Sequence, residues 1–194
     1  TREILNMIEK LRQANPDNPV RHHIGHLMTV HPDDIPRFKK LNVIAEFSPA
    51  TWYPHALTHT AKTFVGEERV KRWQPIKEFV DAGAMVSYGS DWPAGTPDAD
   101  PWRALEGMIT RQDPTNAMPG KIGEGIDLAT GIRILTMGGA VAMQHEDKVG
   151  SIEDGKYADF IVLDRNPFEM PVNEIGKIKV LKTVFEGGLV YEKN

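Results

Sequence analysis

The chain has 194 residues, of which 40% are hydrophobic, and a formal net charge of −4. This mild acidity, with no dense Lys/Arg cluster, argues against a nucleic-acid surface, and no apolar run approaches the ~20 residues of a transmembrane span. Cysteine is absent, so disulfides and thiolate ligands are excluded and any metal site must use histidine and carboxylate. We expect a small-molecule substrate and neither nucleic acid nor membrane as a partner. A cytoplasmic location is favoured, but the composition does not decide it.

The first half of the chain predicts helices and strands in alternation. Apolar residues spaced three and four apart, beginning at Ile4 and Leu5, predict a helix that ends near Asn15. The elements predicted after it are a strand over 20–27, a helix over 32–41, a strand over 43–47, a loop over 50–64, a helix over 67–82 with Gly83 as its C-cap, and a strand over 84–88. Strands separated by helices imply a parallel sheet, so we predict an α/β fold.

The second half begins with helices and then changes in texture. Helices are predicted over 101–110, 128–135 and 139–143, the middle one capped near Asp127. After about Gln144, glycines separate short β-rich runs over 160–163, 179–185 and 189–191. We therefore divide the chain into residues 1–143 and a small all-β segment, 144–194, that is too short to fold alone.

The segment around Asp91 carries the strongest functional signal. An apolar run over 84–88 stops at Gly89 and Ser90, and a carboxylate follows at once. Parallel α/β folds place their chemistry at the C-terminal ends of the strands, where Asp91 would lie. The alternative is that Asp91 only stabilises a turn by accepting a hydrogen bond from a backbone N–H two residues on.

A histidine ends the first predicted strand. Strict alternation puts His22, Ile24 and His26 on one face, with His26 furthest along, toward the strand's exit. Imidazole and carboxylate together suit zinc or a similar divalent ion, so His26 and Asp91 are candidate metal ligands. The alternative is that His26 is a core histidine bonded to a backbone carbonyl.

A metal ion at this point would define the chemistry. Water on a divalent ion becomes acidic near neutral pH, with a pKa of about 7 rather than ~15.7 in bulk. Asp91 is then the candidate catalytic residue, because a carboxylate beside a cation can accept that proton and return it to a departing amine or alkoxide.

Other polar and aromatic residues are weaker candidates. Trp52 and Trp92 flank the loops after the second and third predicted strands and are candidate substrate-binding residues, or else they pack these loops onto the sheet. Arg111, at the end of the next helix, is a candidate grip for a carboxylate or carbonyl oxygen, or else forms a surface ion pair. His55 and His59 are four residues apart but lack the glutamate of an H-E-x-x-H motif.

Six stretches form a pattern when taken together: RHHIGH at 21–26, HPDDIPRF at 31–38, YGSDWP at 88–93, TR at 110–111, GSI at 150–152 and GKYADFIVL at 155–163. Together they resemble the amidohydrolase superfamily, and within it the amidohydrolase 3 group of metal-dependent hydrolases. The resemblance covers nearly the whole chain, and the motifs are more specific together than singly.

The resemblance implies the C-terminal part of a (β/α)₈ barrel of the TIM type, strands six to eight, followed by a small β-sandwich segment. It also implies one or two zinc ions in the complete enzyme, with His26 as the sixth-strand ligand and Asp91 as the eighth-strand ligand and general base. Two departures stand out. Gly25 occupies a position where family members often carry glutamate, and residues 50–53 replace a histidine-containing loop, so a relative's substrate preference does not carry over.

The number of ligands limits this interpretation. A complete barrel has about 250 residues, and a catalytic zinc site about three protein ligands, of which this chain supplies two. We therefore expect the C-terminal part of a longer enzyme, inactive alone and completed by N-terminal barrel strands or another chain, with a homo-oligomer as one form. The expected reaction is hydrolysis of a C–N bond, in an amide or cyclic amide, by metal-activated water. The alternative is a non-catalytic scaffold or small-molecule-binding fragment that lacks a complete metal site.

Overall fold

The described part of the protein, residues 1–48, 52–94 and 98–193 of a computed structural model, contains two three-stranded sheets. The first is parallel, in the order β1-β2-β3, and the second is antiparallel, in the order β4-β5-β6. Their strands are β1 (His22–Ile24), β2 (Val43–Phe47), β3 (Val86–Tyr88), β4 (Phe160–Leu163), β5 (Val180–Phe185) and β6 (Gly188–Glu192). The predicted parallel pairing of the N-terminal strands is confirmed.

Helices separate the parallel strands and follow the last of them. They are α1 (Arg2–Ala14), α2 (Ile35–Lys40), α3 (Ala56–Val65), α4 (Glu67–Val70), α5 (Ile76–Asp81), α6 (Pro101–Thr110), α7 (Leu128–Arg133) and α8 (Gly139–Ala142). Short 3₁₀ helices cover Pro32–Asp34, Pro167–Glu169 and Val172–Lys177. Within the described ranges, no helix combines the length and the apolar character needed to cross a membrane.

One face of the parallel sheet forms the main core. Val43, Ala45 and Phe47 alternate along β2 and are fully buried against α2 and α5. The ring of Phe79 in α5 meets Phe38 and Phe47 edge to face, with centroid separations of 4.8 and 5.2 Å. This apolar contact fixes the helices against the sheet. The opposite face, here called the polar face, carries Glu46 and the fully buried Ile44 on β2.

A buried carboxylate ties α1 to α2. Asp34 is 3% exposed and accepts hydrogen bonds from Arg2 Nε at 2.9 Å and Arg37 Nη1 at 3.1 Å. Burial opposes the ionisation of Asp34, but the hydrogen bonds from Arg37 and Arg2 outweigh it and hold its pKa below the usual value. The ion pairs thus anchor the first helix on the sheet's helical layer.

Two elements are shorter than the sequence predicts. The strand predicted over 20–27 is paired only from His22 to Ile24, because His26 turns the chain with a φ of 53°. The helix predicted over 67–82 is divided into α4 and α5, because Pro75 lacks an N–H and disfavours helical geometry at Gln74, whose φ is 46°. Gly83 follows α5 with a φ of 68°, as the predicted C-cap requires.

The prediction of a loop over 50–64 is partly wrong. Residues 50 and 51 lie outside the described ranges, and α3 occupies Ala56–Val65. His55 caps this helix: its Nδ1 accepts from Leu57 N at 3.4 Å, while its own backbone N–H donates to Thr58 Oγ1 at 2.9 Å. The capping role accounts for His55 without a metal.

The helices after the site agree closely with the sequence. The helix predicted over 101–110 has the bounds of α6, and Asp127 caps α7 by accepting from Thr130 N at 2.9 Å. The break predicted between 135 and 139 is wrong, since a π-helical segment, Ile134–Gly138, joins α7 to α8. Within the described residues, the C-terminal segment contributes one antiparallel sheet.

Candidate functional site

His26 and Asp91 each follow the end of a parallel strand. β1 ends at Ile24 and β3 at Tyr88, and the chain then turns at the two polar residues. The φ angles are 53° at His26 and 56° at Asp91, in the left-handed region that few non-glycine residues adopt. Both side chains are therefore set at the C-terminal edge of the sheet by turns of the same hand.

The two side chains lie together. His26 Nε2 is 4.0 Å from Asp91 Oδ1, and the side chains are 52% and 40% exposed. Two atoms bound to one zinc ion at about 2.0–2.2 Å are no more than about 4.4 Å apart, so this separation is compatible with a shared ion. Alternation along β1 would put His26 on the buried face of Ile24, and the left-handed turn redirects it toward Asp91.

A complete metal centre does not follow from these two residues. Among the residues that the structure describes, no group of three or more His, Asp or Glu side chains is placed to hold a metal ion. The described chain therefore offers a pair of donors, one nitrogen and one oxygen, of the types that zinc prefers.

A second imidazole–carboxylate pair, which the sequence analysis missed, lies on the polar face of the sheet. Glu46 on β2 has Oε2 at 3.6 Å from Nδ1 of His23 on β1. Their side chains are 34% and 47% exposed. Alternation from Val43 and Ala45, which pack on the helices, was the signal that could have placed Glu46 on this face.

Trp52 is buried and does not contact solvent. Its side chain is fully buried, and its ring stacks on Tyr88 with a centroid separation of 6.2 Å. Burial, assisted by Asp100, raises the pKa of Tyr88 to about 12, so the phenol is neutral beside the site. The packing alternative accounts for Trp52 better than the substrate-binding one.

Trp92, unlike Trp52, is exposed to solvent. It directly follows Asp91, is 58% exposed, and its backbone N–H donates to Ser90 Oγ at 3.3 Å. An exposed indole directly after Asp91 is accessible from solvent, and its contact with a substrate stays a prediction.

Arg111 is buried, so the surface ion pair that the sequence analysis allowed is wrong. It is 1% exposed, and its guanidinium donates to Ile122 O at 2.7 Å and to Trp73 O at 2.6 Å. Burial lowers its pKa to about 9. A side chain enclosed in this way joins two loops through their carbonyl groups, and its contact with a substrate stays a prediction.

A family model described as the amidohydrolase family matches residues 1–191. The chain belongs to the amidohydrolase family. Among curated relatives, the N-substituted formamide deformylase of Arthrobacter pascens is 29% identical over 94% of this amidohydrolase-family chain and 32% of its own length. Protein LONG AFTER FAR-RED 3 of Arabidopsis thaliana is 27% identical over 97% of the chain and 32% of its own length. The chain thus spans about a third of these relatives.

Solved structures agree on the fold. An adenosine deaminase from Xanthomonas campestris with bound zinc superposes with a TM-score of 0.63 and 18% identity, covering 86% of this chain and 36% of that one. The atrazine chlorohydrolase TrzN from Arthrobacter aurescens TC1, complexed with zinc, superposes with a TM-score of 0.62 and 19% identity, covering 88% and 36%. With this partial coverage, the amidohydrolase-family chain corresponds to a fragment of an α/β barrel.

Proposed function

We propose that the chain is the C-terminal part of a metal-dependent hydrolase that cleaves a C–N bond in an amide or cyclic amide. β1, β2 and β3 are then strands six to eight of its barrel, residues 1–143 form the partial barrel, and 144–194 form the β-sandwich segment. A preceding segment or another chain supplies the remaining strands. The family match and the relative named as a formamide deformylase support this reaction class.

The observation that carries the proposal is the 4.0 Å approach of His26 Nε2 to Asp91 Oδ1. These two atoms are the donors that would hold a divalent ion, and zinc in two solved structures of this fold favours zinc. A bound zinc ion acts as a Lewis acid and increases the acidity of water. The remaining ligands come from the part of the barrel outside this chain.

Two residues of this chain then act on the substrate: Asp91 transfers a proton and Trp92 contacts the substrate. Asp91 is 40% exposed, so its carboxylate is accessible to a water proton and to the nitrogen of a departing amine. Its left-handed backbone directs the carboxylate toward His26 rather than along the strand. Trp92, exposed beside it, provides an apolar surface for the substrate.

A variant of Asp91 tests the reaction. In the complete protein that contains this chain, Asp91→Asn is expected to lower kcat for an N-substituted formamide by at least ~100-fold, since proton transfer contributes about 10²- to 10⁴-fold. It should also lower the zinc content measured by atomic emission. Asp17→Asn, on the exposed loop after α1, is the matched control and should match the parent protein. Unchanged turnover in Asp91→Asn excludes the proposed base.

The proposal that this chain is part of a longer enzyme has a separate test, and its alternative is a non-catalytic scaffold. Within the described residues the candidate site has two candidate metal ligands. A non-catalytic scaffold of the same fold could have the same two, so their number does not separate the two proposals. Light scattering, chemical unfolding and a zinc titration on the 194 residues alone distinguish the proposals. A cooperatively folding monomer that binds stoichiometric zinc tightly would contradict the need for a completing partner. A complete protein that binds no zinc would favour the scaffold.

A further inference from the structure

The polar face of the parallel sheet carries a carboxylate that the proposed reaction does not use. Glu46 is the fourth residue of β2 and lies opposite Ser87 of β3 in the parallel register. Its neighbours along β2, Ala45 and Phe47, are fully buried on the helical side, so Glu46 projects from the other face. Its side chain remains 34% exposed there.

Two glycines that directly follow the neighbouring strands β1 and β3 flank this carboxylate. A Cβ built on Gly89 would lie 3.0 Å from Glu46 Oε1, and one built on Gly25 would lie 3.5 Å from it. Gly25 directly precedes His26, and Gly89 comes two residues before Asp91. The carboxylate therefore lies beside the backbone that leads to both candidate ligands, and no side chain from either glycine covers it.

Glu46 also has unused hydrogen-bonding capacity. Within the described residues, the polar contact recorded for its side chain is with His23 Nδ1 at 3.6 Å, longer than a hydrogen bond. An ionised carboxylate offers about four acceptor positions. A partly buried anion in this state attracts a cationic donor more strongly than one in bulk water, because the local dielectric is lower.

We propose that Glu46 is a specificity-determining residue that binds a cationic group, such as an alkylammonium, on the substrate of the proposed hydrolase. This inference rests on the proposed function. The missing Cβ atoms of Gly25 and Gly89 let the carboxylate pack close to the chain that leads to both candidate ligands. The exposed third of the Glu46 side chain is the part that a substrate can reach, and His23 lies beside it. The substrate class is thus an amide that carries a positive charge a few bonds from the scissile C–N bond.

Two probes of equal size test the selectivity. N-(4-aminobutyl)formamide and N-pentylformamide have the same number of heavy atoms and differ in the ammonium group. The complete, zinc-loaded protein should hydrolyse the ammonium probe with a kcat/KM about 10- to 100-fold higher, the range of one hydrogen bond to a charged group. Glu46→Gln should remove this preference through KM and leave the neutral probe within about twofold. Glu3→Gln, on the exposed surface of α1, should behave as the parent.

Several outcomes overturn the inference. Equal hydrolysis of both probes by the parent protein, or an equal loss on both probes in Glu46→Gln, would mean that Glu46 does not recognise the charge. If the parent hydrolyses neither probe, the proposed reaction fails separately, and binding of n-pentylammonium measured by ligand-observed NMR tests Glu46 directly. Weaker binding by Glu46→Gln than by Glu3→Gln supports the inference, and equal binding contradicts it.

Discussion

Two adjacent glycines at the junction of the π-helical segment and α8 should respond to alanine in opposite directions. A Cβ on Gly138 would lie 2.5 Å from Val86 O and 3.2 Å from Ser87 Cα, both in the backbone of β3. A carbon and a carbonyl oxygen normally stay about 3.3 Å apart, so the helix or β3 must move by nearly 1 Å. A Cβ on Gly139 meets nothing within 4 Å.

The magnitudes follow from these contacts. Overpacking of this kind costs about 1–3 kcal/mol, which exceeds the helix propensity that alanine brings. Gly139→Ala makes no clash and should raise the free energy of unfolding by about 0.5–1 kcal/mol, because glycine is the poorer helix former. Both variants gain the same helix propensity, so they are expected to differ by the overpacking cost alone, about 1–3 kcal/mol.

Urea unfolding followed by circular dichroism measures both free energies. Gly138→Ala should also perturb the site, because β3 leads directly to Asp91, and its zinc affinity in the complete protein should fall. Gly139→Ala is the control for any general effect of added methyl groups. If Gly138→Ala is as stable as Gly139→Ala, the close packing of the π-helical segment on β3 is refuted.

Two further variants address the helical layer. Asp34→Asn should cost about 1–3 kcal/mol at pH 7, since it weakens the charged hydrogen bonds from Arg2 and Arg37, and less at an acidic pH at which the folded carboxyl is protonated. The direction follows because the pKa of Asp34 is lowered in the folded protein. The stabilisation is present above the unfolded pKa of about 3.9 and is lost as the pH falls through the folded pKa. Equal losses of stability at the two pH values would contradict this role of the Asp34 carboxylate. Phe79→Ala should cost about 3–5 kcal/mol in the same unfolding assay, and a loss below 1 kcal/mol would show that the aromatic cluster is not a core.

The parts of the fold that depend on local patterns could be predicted from the sequence. A proline at its first position marked α6, which has the predicted bounds, and an apolar run marked β3, which forms over the last three of the five predicted residues. The division between α4 and α5 also has a local cause, Pro75, which disfavours helical geometry in the residue before it. The helical spacing of apolar residues on either side obscured that signal.

The site residues show where local reasoning ends. Arg111 follows a helix, as a surface arginine often does, and its burial depends on Trp73 and Ile122, which are distant in sequence. His26 approaches Asp91 because the chain turns at His26, and the alternation of side chains along a strand does not predict such a turn. The sequence shows Glu46 as the one charged residue in an apolar strand, but the glycines beside it come from the turns after two other strands.

The left-handed turns at His26 and Asp91 also limit which ligands evolution or design can place there. Outside glycine, this backbone geometry is most readily adopted by asparagine, aspartate and histidine. Exchange among these three types would alter the charge and hardness of the donor set while preserving the chain path. A β-branched residue would be strained in this geometry, so a shift in metal preference at this edge of the sheet is most accessible through histidine–aspartate exchange.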